Sequence, residues 1–342
     1  MKTEREGGSP VRIVHAPTEI SGQMGTLVQG LRTAGYAAIG YNWFHSYLNY
    51  SGKVVRTDAY ELKKMIDLLA NQANILHFHN GNSFLVNLQD IRMLGEMGAQ
   101  MVMHHWGNDV RTVTRNRALN PYPMPPSYYS DDIIDERLRY FRQHIRHAIV
   151  QDYELYPHVS DYYEHVHVLP LACDVGAIPY VCPSAEQKSP IVIHAPTNRA
   201  FKGSEYVEKA IRELHGACSF TYQAVENTSH AEAMELYRGA DIIIDQILCG
   251  TYGMLSVEAM AMGKVVVAYI RDDVRAQFPA ELPIVSANPD TLREVLRALI
   301  GDPERRALLG QAGRAYVERY HAVDAVIARL AGIYSKVGGE AR

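Results

Sequence analysis

The sequence is poor in the features that would place it quickly. Its four cysteines, Cys173, Cys182, Cys218 and Cys249, are scattered and form no Cys-x-x-Cys pair. That excludes a disulfide framework and a cysteine zinc site, and fits free thiols in a reducing compartment. No run approaches the roughly 18 apolar residues of a membrane span. The opening MKTEREGGSP has no apolar stretch to serve as a signal peptide. An excess of one charge is also missing: 34 Lys and Arg stand against 38 Asp and Glu, a formal net charge of -4, so nucleic acid is not an expected partner. No loop carries an Asp-x-Asp pair of the kind that holds a divalent ion, and no metal is expected. The expected location is cytoplasmic.

What is present is a folded, two-domain composition. The chain has 342 residues, 47% hydrophobic and 21% charged, more than one hydrophobic core usually supports. Within it one pattern occurs twice. Residues 11–25 read VRIVHAPTEISGQMG and residues 190–203 read PIVIHAPTNRAFKG. Each is a short β-branched run ending in HAPT, followed by a loop with glycine and then a helical pattern (Leu27 and Leu31; Val207, Ile211 and Leu214). Strand, polar loop and helix open a βαβ unit, and the repeat predicts two domains of similar architecture.

Further strands are expected at 37–41, 75–78, 100–104, 148–151 and 165–170, then at 219–224, 241–245, 264–270 and 283–285. Near-continuous apolar runs such as IIID and KVVVAYI suit parallel strands covered on both faces, and their alternation with helices predicts doubly wound α/β sheets. Glycine, prolines and charge between 174 and 189 mark the boundary. Residues 303–337 carry apolar residues at helical spacing. In such sheets ligands bind beyond the carboxyl ends of the strands, so the loops after strands are where site residues are expected.

The stretch DIIIDQILCGTYGMLSVEAMAMGKVVVAYI, 241–270, ends a strand near Asp245. The turn Gly250-Thr251-Tyr252-Gly253 then leads into a helix carrying Glu258. Amides of the first turn, at Met254, Leu255 and Ser256, together with the helix dipole, favour phosphate. An acid slightly further on suits ribose hydroxyls. After the second HAPT, Asn198-Arg199-Ala200-Phe201-Lys202-Gly203 places two cations where a departing diphosphate would need them.

These segments resemble the donor-binding signature of family-4 retaining glycosyltransferases with the GT-B fold. In that family a glutamate, a Gly-aromatic-Gly turn and a second glutamate, with seven residues between the acids, precede an EAMA-x-G-x-V-V segment. Glu258-Ala259-Met260-Ala261, Gly263 and Val265-Val266 match its second half, and Tyr252-Gly253 matches the aromatic-Gly pair. Gly250 stands where the first glutamate would be. Lys202-Gly203, with Arg199 before it, resembles the family's Arg and Lys-Gly that grip the donor diphosphate. The stretch 226–240 before Asp241, and His167-Val168-Leu169-Pro170 with Asp174, look like further family segments.

The resemblance implies two Rossmann-like domains facing each other across a cleft: an acceptor domain over 1–175, a nucleotide-sugar domain over 176–320, and a helix over 321–342 packing back on the first. It implies transfer of a hexose from a UDP- or GDP-linked sugar to an acceptor hydroxyl with retention, the donor being a substrate and no cofactor being needed. The acceptor is a glycan or small metabolite. A nucleotide-sugar 2-epimerase of the same fold, or a nucleotide-sugar-binding protein without transferase activity, is the alternative. Catalytic roles are expected for Arg199, Lys202 and His105. Donor contacts are expected from Gly22, Asn198, Arg199, Lys202, Gly250, Thr251, Tyr252, Gly253, Met254, Leu255, Ser256 and Glu258.

In the first half, the loop EISGQM at 19–24 holds the place of the family's glycine-rich loop. HFHNGNS (77–83) and MHHWGNDVR (103–111) each follow a strand. Gln23, His79, His104, His105, Trp106 and Asp109 are expected on the acceptor side. Adjacent side chains on a strand point oppositely, so either His104 or His105, or neither, faces the cleft. His77, His79, His104 and His105 permit a metal reading, but cleft lining suits them better without a carboxylate or cysteine partner. The basic, aromatic stretch 137–147 offers a contact to an anionic acceptor or a membrane surface, a solvated helix face being the plainer expectation.

Overall fold

The computed structural model describes residues 10–44, 46, 48, 50 and 53–339, so the N-terminal segment read for a leader lies outside the described residues except for Pro10. Among the described residues all strand pairing is parallel and forms two sheets. The first contains β1 (Arg12–Ala16), β2 (Ala37–Asn42), β3 (Val55–Arg56), β4 (Ile75–His79), β5 (Met101–His105), β6 (His147–Val150) and β7 (His165–Val168), in the order β3-β2-β1-β4-β5-β6-β7. The second contains β8 (Ile191–His194), β9 (Thr221–Ala224), β10 (Ile242–Ile244), β11 (Val265–Ala268) and β12 (Val285–Ser286), in the order β12-β11-β10-β8-β9.

Strands covered on both faces are buried along their whole length. β4, β5, β6, β10 and β11 are buried at every position, and each sheet separates two apolar cores. Helix Ser204–Leu214 shows how the covering works: Val207, Ala210, Ile211 and Leu214 fall on one face and are buried against the second sheet. Each large apolar side chain buried in this way contributes about 1.5–3 kcal/mol. The duplicated HAPT stands at the same place in both sheets, at the carboxyl ends of β1 and β8.

Two details depart from the sequence expectation. Strand β3 is a two-residue edge strand with both residues exposed, so it carries no hydrophobic period to detect. The helical stretch after 303 is two helices, Pro303–Tyr320 and Val323–Gly339, broken at a buried histidine. His321 Nδ1 bonds the Leu171 carbonyl at 2.7 Å, and its Nε2 is 3.0 Å from the Tyr252 hydroxyl. Beyond the break the chain returns to the first sheet. Val326, Ile327, Leu330, Ile333, Tyr334 and Val337 share a core with Val11, Ile13, Leu27 and Leu31. A Cβ at Gly30 would come 2.5 Å from Val323, so alanine there would push this helix off.

Sheet order fixes where a ligand can sit. In the first sheet the chain leaves β1 toward β2 and β3 and returns on the other side at β4; in the second it leaves β8 toward β9 and returns at β10. Loops diverge at these switch points and leave a crevice at the carboxyl ends of the strands.

Candidate active site

The two crevices share one cavity of about 490 Å³. Its first-domain wall carries Glu19, Gln23, Asn80, Trp106 and Arg111; its second-domain wall carries Asn198, Lys202, Gln246, Gly253 and Met254.

On the second-domain wall, Asn198 caps a one-turn helix by accepting from the Phe201 amide at 3.0 Å, which brings Lys202 over the end of β10. Lys202 Nζ bonds Asp245 Oδ1, and also Gln246 Oε1 at 3.0 Å. The other oxygen of Asp245 accepts from the Gly253 amide at 3.0 Å and the Ser256 hydroxyl at 2.7 Å. One buried carboxylate therefore holds the lysine, the turn and the start of helix Met254–Ala261 together. Burial opposes its charge, but Lys202 and the hydrogen bonds hold its pKa below the usual aspartate range.

Gly250 has φ +88°, and a Cβ there would lie 3.3 Å from Arg271, so the turn leaves little room for a glutamate. Gln246, which the sequence reading overlooked, lines the cavity in that region and donates to the Thr251 carbonyl at 2.7 Å.

Several expected donor residues are placed behind this wall. Thr251 donates to Asp152 at 2.8 Å, and Tyr252 is buried against His321. Ser256 is spent on Asp245, and Leu255 packs into the core beside Tyr252. Arg199 does not join Lys202: its guanidinium is captured by Glu208 and Glu226, which corrects the expectation of two cations on one diphosphate. Glu258 bonds His230 Nε2 at 2.7 Å, and Tyr50 packs on that imidazole with centroids 4.4 Å apart. The pairing raises the pKa of His230 even though burial works against it. Gly22 backs onto the same Tyr50, whose ring occupies the space a Cβ would need.

On the first-domain wall, Gln23 bridges the domains, donating to the Ala172 carbonyl at 3.0 Å and to Met254 Sδ at 3.3 Å. Trp106 lines the cavity. Both neighbouring histidines are buried, as are His79 and Asp109. His105 Nδ1 bonds Asp109 at 2.7 Å and its Nε2 bonds the Tyr163 hydroxyl at 2.9 Å, so it supports the Trp106 loop from below. The expected catalytic place for His105 in the cleft is corrected accordingly. His104 lies under the indole of Trp106, with centroids 3.9 Å apart. Among the described residues one group has metal-ligand spacing, His15, His77 and His79, and it lies in the core of the first domain.

Three ionisable residues near the cleft were not singled out from sequence. Glu19 accepts from the amides of Met24 and Gly25 at 2.9 and 2.8 Å, and burial outweighs those bonds and pushes its pKa up to about 7. Arg111 makes a bidentate pair with Glu154 (2.7–3.1 Å) and sits over the Phe201 ring of the other domain. Gly107 is required there, because a Cβ would lie 2.3 Å from Arg111 Nη1. Asp152, beside this pair, is raised to about 6 by burial and by Glu154.

Asp152 gives a pH prediction. Its folded-state pKa lies above the ordinary value of 3.8, so the folded state holds the proton more tightly than the unfolded chain. The resulting stabilisation is complete below pH about 4 and is lost as pH rises through about 6. Asp152→Asn keeps an acceptor for the Glu154 and Leu155 amides and does not titrate. Relative to wild type, the variant should gain about 2 kcal/mol between pH 4.5 and 7.5, measured from urea unfolding. Parallel pH profiles for the two proteins would exclude Asp152 as the titrating group.

Residues 192–332 match the family model described as glycosyl transferase-like. Among curated proteins none matches the sequence. Solved structures similar over nearly the whole chain include a glycosyltransferase from Rickettsia africae ESF-5, at 13% identity and TM-score 0.66, covering 97% of this chain and 99% of that one. Anabaena HepE in complex with UDP and glucose is similar at 13% identity and TM-score 0.66, covering 95% and 100%. The catalytic domain of Arabidopsis thaliana starch synthase IV bound to ADP and acarbose aligns at 11% identity and TM-score 0.67, covering 97% and 100%. The chain has the α/β architecture of GT-B glycosyltransferases, and its second half carries the glycosyl transferase-like match.

Proposed function

We propose that this protein is a metal-independent, retaining glycosyltransferase that moves a hexose from a UDP- or GDP-linked sugar to an acceptor hydroxyl. One observation carries the reading: Lys202 and the first turn of helix Met254–Ala261 meet at the switch point of the second sheet, on the cavity shared with the first domain. That is where a diphosphate finds a cation beside the positive end of a helix. The structures of HepE with UDP and glucose and of starch synthase IV with ADP add support for a nucleotide-sugar donor.

In this reading the acceptor binds the domain of residues 1–175 and the donor that of 176–320, with 321–342 returning to the first. The acceptor oxygen bonds to the anomeric carbon on the face from which the diphosphate departs. The diphosphate oxygen takes the electrons of the broken C–O bond and receives the acceptor's proton. Lys202 and the helix amides stabilise the charge that grows on the leaving group. Gln246 contacts the sugar where the family's first glutamate is missing, and Glu258 takes the ribose once His230 is released. Trp106 and Gln23 face the acceptor, and Asp109, His105 and His104 hold that loop. Met254 and Gly253 border the diphosphate.

The test is turnover of a panel of UDP- and GDP-hexoses with EDTA present, reading free nucleoside diphosphate and the anomeric configuration of the product. Nucleotide release with retention is expected. Activity that vanishes with EDTA and returns with manganese removes the metal-independent account of the leaving group. Isomerised donor without nucleotide release, or donor bound and never consumed, removes sugar transfer itself.

A further inference from the structure

Behind the Trp106 wall lie four histidines: His15 on β1, His77 and His79 on β4, and His104 on β5, each at most 1% exposed. Register sets His15 opposite His77 and His79 opposite His104. Alternation along β4 turns His77 and His79 to one face, where their rings stack 4.5 Å apart at 4°.

Hydrogen bonds join these rings into one chain. Trp106 Nε1 lies 3.3 Å from His79 Nδ1, and His79 Nε2 lies 3.0 Å from His15 Nδ1. His15 Nε2 is 3.1 Å from the Tyr334 hydroxyl, which is 2.7 Å from His77 Nδ1. His77 Nε2 is 3.2 Å from His104 Nδ1, and His104 Nε2 is buried without a partner.

The indole can only donate, which fixes the bonds as far as Tyr334; the hydroxyl proton then goes to its other neighbour, His77 Nδ1, and sets the rest. His79 accepts at Nδ1, so its proton is on Nε2 and is donated to His15. His15 donates to Tyr334, Tyr334 to His77, and His77 to His104. All four rings are thereby neutral and protonated at Nε2, and the surplus donor falls on His104 Nε2, the atom that lacks a partner. Burial favours neutrality, holding His15 down to about 3 and the other three well below the ordinary histidine range.

We propose that Tyr334 is a positioning residue: through His15 and His79 it holds the Trp106 indole flat against His104, with its other face toward the acceptor side of the cleft. This rests on reading that side as the acceptor site. An indole covered on one face and lining a cavity offers the other to a sugar or aromatic ring. The competing account is a metal ion at His15, His77 and His79, whose ligand atoms lie within 4.8 Å of one another. It would require nitrogens that already accept hydrogen bonds to be released. Near-parallel rings also aim their lone pairs side by side instead of at one point.

The experiment is a long-range proton–nitrogen NMR correlation of histidine-labelled protein, which reads each tautomer without any transfer assay. Wild type should show His15, His77, His79 and His104 protonated at Nε2 only, at pH 7 and at pH 5. Tyr334→Phe, which removes the hydroxyl donor, should let His77 and His104 mix tautomers. In a Trp43→Phe background, which makes Trp106 the sole tryptophan of the two, Tyr334→Phe should red-shift the indole emission and increase its quenching by acrylamide. A wild-type spectrum with any of the four at Nδ1–H or charged at pH 7 overturns the chain, whether or not the variant folds. Unchanged Trp106 emission in Tyr334→Phe overturns the positioning role. Stoichiometric zinc binding that His77→Gln abolishes would make the rings ligands and overturn both. A failed transfer assay touches none of these readouts.

Discussion

Lys202→Ala should lower turnover about a hundredfold, roughly 3 kcal/mol, with a smaller loss of donor affinity. The ammonium has three N–H groups, and two are bonded, to Asp245 and Gln246. The third is left for a phosphate oxygen. Charge on that oxygen rises as the glycosidic bond breaks, so the contact strengthens toward the transition state and its loss falls mainly on kcat. Asp245 keeps the Gly253 amide and the Ser256 hydroxyl in the variant, so the turn should survive. Steady-state kinetics, with donor affinity measured by calorimetry, separates the two effects. Near-normal kcat would mean that Lys202 serves only to neutralise Asp245.

The second large effect is on stability. Arg111→Met is expected to cost about 3–5 kcal/mol, because it leaves the Glu154 carboxylate buried without its bidentate partner. Glu154 is held below the ordinary carboxylate range by Arg111, against the opposing effect of burial. Removing both charges together, as Arg111→Met with Glu154→Gln, should recover most of the loss. Urea unfolding of the single and double variants checks this. A single variant within about 1 kcal/mol of wild type would show that Glu154 is readily hydrated or protonated and that the pair is not a structural joint.

The fold was legible because its strands are short apolar runs and its helices carry one apolar face. The doubled HAPT marked the same corner of both sheets, at His15 and His194. The site was legible only where it is local. Asn198, Lys202, Gly253 and Met254 lie in the loops and first helical turns after β8 and β10 and line the cavity, as a rule about strand ends predicts.

Sequence spacing does not say which distant partner claims a side chain. Arg199 is taken by Glu208 and Glu226, and Glu258 by His230, on elements whose approach only the packing reveals. Arg111 finds Glu154 from the far side of β6. For His104 and His105, alternation correctly separated their directions, but either direction leads to burial. The sheet is covered on both faces, and the cleft opens at its end, beside Trp106.

The return of helix Val323–Gly339 to the first sheet has a consequence for the order of synthesis. His15 and the Tyr334 hydroxyl that it meets are 319 positions apart, with the whole second sheet between them in the sequence. A growing chain must emerge through Val337 before the core around Val11, Ile13 and Leu27 can close. The second domain's core closes earlier, once helix Pro303–Tyr320 has brought Tyr316 and Val317 to it. During translation the half made first is therefore the half finished last, and its open apolar face is what a chaperone would shield.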